Sequence, residues 1–324
     1  MTAAAPRLGI LLSVAIAMNV AAGPTLPDFS AQLDAQWDYA SPPSSEARFR
    51  AELERWPADD PRALIVTTQI ARTQSLRRQF AAAHATLDLV QPKLDGMPSH
   101  VRVRYLLERG RTFNSAGMPE RAMPLFAEAL ALAECGDDAF YAIDAAHMLG
   151  IAAPPPERLD YDLKALSMAE SATDARARRW RAPLYNNIGY AHQERGDFAT
   201  ALAWYRKALP AYEERGDPRN VRIARWMIAR ALRALGELDE AEAIQRRLLV
   251  EWERAGESDG YVYEELAEIA VARGRPAAAK PWAAKAHAAL AADAGFAAEH
   301  PERLARLEAI AAGNVPPPSG ARSR

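Results

Sequence analysis

The densest reactive chemistry in this 324-residue sequence is arginine. Arg222, Arg225, Arg230 and Arg233 lie within one twelve-residue stretch, and on a helix they would share about 140° of surface. Trp226 precedes Arg230 by four residues, so indole and guanidinium can stack. Such a face suits carboxylates or phosphates, which a guanidinium grips with paired hydrogen bonds. The same four residues would also make an ordinary solvated helix face. A second run, Arg176, Arg178, Arg179 and Arg181 around Trp180, reads as a solvated linker or as a cap on the C-terminus of the preceding helix. Catalytic constellations are missing from the sequence. It has no Gly-rich phosphate loop, no His-Glu-x-x-His, no nucleophile elbow and no Asp-rich calcium loop. Cys135 is the single cysteine, which excludes an intrachain disulfide and a Cys-cluster zinc site. It precedes Gly136-Asp137-Asp138 with no neighbour clearly able to activate it. The sequence reads as a non-enzyme, with no cofactor and no metal expected.

These side chains need a scaffold, and the composition points to helices. Alanine is abundant, and 49% hydrophobic with 25% charged residues describes a folded, water-facing chain. Forty basic against forty-two acidic residues leave a net charge of -2, which disfavours a general nucleic-acid binder. Residues 1–22 contain one charge, Arg7, followed by an uncharged run from Leu8 to Ala22. That run is short of the roughly 20 residues a transmembrane helix needs. With Val20 and Ala22 at the −3 and −1 positions, it reads as a signal peptide. The alternative is that Met18 is the true start, so cytoplasmic and exported placements both stay open.

Self-similarity organises the rest. Turns recur at Arg78, Gly117, Ala153, Gly196, Gly236 and Gly274, thirty-six to forty-three residues apart. Seven residues before each turn stands a small residue: Ala71, Gly110, Ala146, Gly189, Ala229 and Ala267. Large residues such as Phe126 and Tyr205 follow nine after it. Paired helices approach closely only where one side is small, so these columns predict six helix pairs. The third is irregular. Pro154-Pro155-Pro156 stands at its turn, and Arg158 and Asp162 occupy columns where small and aromatic residues belong.

In the best copy, Tyr185, Ile188-Gly189, Ala201, Tyr205 and Ala208 carry a pattern that resembles the tetratricopeptide repeat. The periods are those of extended copies, similar to kinesin light chain and bacterial peptide-sensing repeat proteins. The resemblance implies an all-α, right-handed superhelical solenoid. It covers residues 63–290; outside the array the residues themselves read as capping helices over 28–56 and 299–312 and a disordered tail over 313–324. Within the N-terminal segment, helices are expected from Asp28 to Ala40, and from Ser45 to Trp56 with Ser44 or Ser45 as N-cap.

The resemblance also implies a concave groove lined by the first helix of each pair. Its ligand-facing positions map onto Arg72, Arg104, Arg111, Asn114, His147, Asn186, Asn187, Tyr190, Gln193, Trp226, Arg230 and Arg233. The groove is therefore expected to be basic over five repeats and to end in an acidic patch at Glu264 and Glu268. Asn186-Asn187 looks like the paired asparagines that clasp a peptide backbone in kinesin-light-chain-type repeats; it could equally bond a neighbouring repeat. The leading expectation is a protein- or peptide-binding scaffold whose partner has some acidic character. The rivals are a structural scaffold, dimerising through the helices around Trp37 and Phe49, single-stranded nucleic-acid binding, and a cryptic enzyme using His147.

Overall fold

The computed structural model describes residues 25–314, and among these every regular element is helical. The leader expected over residues 1–22 lies outside the described residues, as does the tail from residue 315 onward. Two helices come first, α1 (Leu26–Asp34) and α2 (Pro42–Leu53). Three helix pairs follow: α3 (Pro61–Leu76) with α4 (Phe80–Asp88), α5 (Ser99–Ser115) with α6 (Pro119–Cys135), and α7 (Ala139–Ala152) with α8 (Pro155–Ser171). The short α9 (Ala175–Arg178) separates these from three more pairs. They are α10 (Arg181–Glu194) with α11 (Phe198–Glu214), α12 (Pro218–Leu235) with α13 (Leu238–Arg254), and α14 (Gly260–Ala272) with α15 (Pro276–Ala291). α16 (Ala294–Glu299) and α17 (Pro301–Ala312) close the chain.

Local sequence explains the boundaries. Asp138, Asp197, Asp217 and Asp259 each accept a backbone N–H at the start of a helix, satisfying an otherwise unpaired donor. At five of the six expected turns the backbone has positive φ, and four of those carry glycine while the fifth is Arg78 at 60°. The sixth, Ala153, is extended instead, because Pro154 restricts the residue before it. Packing follows the small and large columns. A Cβ built on Gly189 would stand 2.6 Å from Tyr205 Cε1, and one on Gly110 would collide with Phe126. In the irregular third copy the large position is taken by a polar group: Asp162 is buried, and its Oδ1 lies 2.8 Å from where a Gly150 Cβ would be.

The N-terminal segment departs from expectation in two ways. α2 begins at Pro42, not Ser45, because proline at the first helical turn pre-sets the backbone. Ser45 is buried, and its hydroxyl accepts the Asp38 N–H at 2.8 Å. α2 packs on α3 as an end cap would. α1 instead lies across the inner helices, where Ser30 meets His100 of α5 at 2.7 Å and Asp34 reaches α5, α7 and α9. At the other end, α17 covers the last pair with Leu307 and Ile310. No helix among the described residues is long and apolar enough to cross a membrane.

Candidate functional site

The first helices of successive pairs line one hollow of about 790 Å³. Gln69 and Arg72 come from α3, Arg104, Glu108 and Arg111 from α5, and Phe140, Tyr141 and Asp144 from α7. Pro183 of α10 and Asn220 of α12 extend it, while Asp34 at the end of α1, with Ala35, Trp37 and Tyr39 just beyond, closes one side. Its size is within the range of ligand clefts. Aromatic rings and charged heads both line it.

Most of the charges are paired within the chain, which corrects the expectation of a locally basic groove, although arginines stay in excess along the hollow. Arg72 donates to Glu108 at 3.3 Å, and Arg111 donates to Glu108 at 2.8 Å and also pairs with Asp144. Arg233 holds Glu265 through two bonds of 2.7 and 3.0 Å, with Arg230 3.9 Å from the same carboxylate. Each of these arginines reaches a carboxylate on the first helix of the next repeat, and Arg111 also bonds one on its own helix. The acidic end is corrected in the same way: Glu264 pairs with Arg303 and Glu268 with Arg306, both on α17. Matching charges across the seam offsets the cost of burying them.

His147 and Asn187 form the equivalent polar link between the third and fourth repeats, with ring nitrogen and amide nitrogen 3.3 Å apart. The His147 ring also lies 5.1 Å from that of Trp180. Asn186 is half-buried, and its Oδ1 has no protein partner. Gln193 is withdrawn from any groove: it is buried and accepts the Tyr205 hydroxyl at 3.3 Å. Asn114 is half-buried near the end of α5, and Tyr190 is 44% exposed on α10. Trp226 lies 5.3 Å beneath the Arg230 guanidinium, as their spacing suggested, and its indole N–H donates to the Tyr261 carbonyl at 3.1 Å. Arg222 stacks on Trp252 and Arg225 pairs with Glu213 and Glu251, so the four arginines of α12 do not act as one face.

Arg104 is 3% exposed and carries its expected inward position to an unexpected partner. Its guanidinium donates to both Asp34 oxygens at 3.0 and 3.1 Å. Arg176 and the Tyr141 hydroxyl complete the cage around the same carboxylate. Burial alone would raise the Asp34 carboxyl, but the two guanidiniums and the hydroxyl hold it below the ordinary carboxylate value. Burial likewise pushes the Tyr141 phenol well above its usual value. Arg176 therefore belongs to the hollow, not to a solvated linker. The dimer surface expected around Trp37 and Phe49 is used within the chain. Phe49 is fully buried, and Trp37 stacks on Tyr39 while donating to Gln69 at 3.0 Å.

Residues 180–249 match the family model described as tetratricopeptide repeat. No curated protein matches the sequence. Among solved structures, the apo form of RapI is similar, with a TM-score of 0.65 at 10% identity over 89% of this chain and 83% of that one. BtubC from P. vanneervenii gives 0.52 at 16% identity over 67% and 89%. For pilF of Pseudomonas aeruginosa the values are 0.51, 14%, and 73% and 96%. Likeness at these identities is likeness of fold. The repeat-model match over residues 180–249, the six helix pairs and these neighbours agree on an all-α solenoid of paired helices with the fold of tetratricopeptide-repeat proteins.

Proposed function

We propose that this protein is a non-catalytic scaffold that binds a segment of a partner protein in the hollow lined by its first helices. One observation carries the reading: a cleft of about 790 Å³ with aromatic walls and arginines, assembled from the inner helices of four repeats and the start of a fifth. Aromatic rings supply apolar area at low entropic cost, and guanidiniums recognise carboxylates with directional bonds. A segment with acidic character fits this lining, because arginines outnumber carboxylates by six to three along it. The carboxylates of Asp34, Glu108 and Asp144 in the same wall count against a continuous phosphodiester backbone as ligand.

The test is to fill the cleft without disturbing the helices. Ala175 lies on its wall and is exposed, so Ala175→Trp adds bulk where no packing is displaced. Ala131 is exposed on α6 away from the lining and serves as the matched control as Ala131→Trp. Affinity capture followed by mass spectrometry should lose its specific partners with Ala175→Trp and keep them with Ala131→Trp. Identical recovery by both baits would remove the cleft from the function.

A further inference from the structure

Six arginines line the hollow, and four of them have carboxylate partners inside the chain. The two that do not, among the described residues, are Arg179 and Arg215, and they are neighbours. Arg179 Nη2 donates to the Arg215 carbonyl at 3.4 Å, and Arg215 Nη1 donates to the Arg179 carbonyl at 3.2 Å. Each residue also terminates a helix, α9 and α11 respectively, so each cation caps the other's helix end. Capping uses one nitrogen of each fork. Arg215 Nε is buried without a partner. The nearby acids are engaged elsewhere: Glu214 lies 3.7 Å from Arg181, and Asp217 accepts from the backbone and side chain of Asn220.

Two adjacent guanidiniums with spare donors repel one another unless an anion lies against them. The same cavity already demonstrates the solution at its α1 side, where Arg104 and Arg176 converge on the Asp34 carboxylate. We infer that Arg179 and Arg215 form a second carboxylate subsite, which takes an aspartate or glutamate side chain of the bound protein segment. Tyr212 and Trp180 flank it along the wall and give the residues beside that carboxylate an apolar surface. The subsite rests on the proposed cleft function and specifies its ligand as an acidic, extended peptide.

Rhodamine-labelled acetyl-(Ala-Glu)5-amide and its (Ala-Gln)5 counterpart test this by fluorescence anisotropy at low salt. Wild-type protein should bind the glutamate peptide at least tenfold more tightly than the glutamine peptide. Arg179→Ala/Arg215→Ala should lose at least tenfold in affinity for the glutamate peptide and most of that discrimination. Arg247→Ala/Arg254→Ala removes the same charge from exposed positions on α13 and should change affinity less than twofold. Because both arginines also cap helices, Arg179→Lys/Arg215→Lys provides a milder variant that keeps the charge and loses the forked bonds; a loss of about threefold to fivefold is expected. Circular dichroism confirms the fold of each. Failure of the wild type to prefer glutamate, or an unchanged affinity in both arginine pairs, overturns the subsite. Those outcomes leave the cleft itself standing if Ala175→Trp still abolishes partner capture.

Discussion

Replacing Asp34 with asparagine removes one charge and keeps the shape. Arg104 would remain almost fully buried with the Tyr141 hydroxyl and the uncharged asparagine oxygen as its direct partners. Breaking a buried ion pair by removing one partner costs about 3–5 kcal/mol. Here the Asp34 side chain is 25% exposed and Glu108 adds a favourable field at Arg104, so about 2 kcal/mol is the expected loss. If that loss is expressed as detachment of α1, opening should become roughly 30-fold more frequent. Hydrogen exchange read on residues 26–34 measures it directly, with exchange in α13 as the internal reference. A double-mutant cycle with Arg104→Met isolates the pair and should return a coupling above about 1 kcal/mol. Protection of α1 within twofold of wild type in Asp34→Asn would refute the claim that this carboxylate holds the helix across the inner face.

Three further outcomes follow from other sites. Gly189→Ala should destabilise the fourth repeat by about 1 kcal/mol net, since overpacking against Tyr205 costs about 1–3 and helix propensity returns about 1; a urea midpoint that rises would contradict the packing argument. Gln245 is fully buried with neither amide atom hydrogen-bonded to protein, so Gln245→Met should gain about 1 kcal/mol, and a lower melting temperature would count against that reading. The Asp34 carboxyl titrates below its ordinary value of 3.8, so its contribution is complete above that pH and disappears as the pH falls through the depressed folded value. Protection of α1 should therefore stay level from pH 7 to 5 and decline below 4, while Asp34→Asn shows no such acid step.

What the sequence made legible was everything with a repeat period. The small column at Gly110 and Gly189 and the large column at Phe126 and Tyr205 meet as the packing rule requires, and the turns fall where their glycines are. Charge pairing was hidden by distance along the chain. Arg72 and Glu108 are 36 residues apart and Arg111 and Asp144 are 33 apart, so neither pair looks local. Setting each inner-helix arginine against the inner-helix residues 33 to 36 positions further on would have revealed them. No such device finds Asp34, which lies outside the repeats on α1 with partners 70, 107 and 142 residues away. The Arg176–Arg181 run was visible, but its role depended on where α9 deposits it.

The cross-repeat pairing has a consequence for rearranging the array. Deleting the third unit, for example, would strand the Arg111 guanidinium opposite Asn187, which carries no acid. The inner-face junction between the fourth and fifth units is different, because Tyr190 and Met227 occupy the corresponding positions and neither is charged. A chimera spliced there severs no inner ladder bond, which makes it the natural place to graft new modules onto this protein.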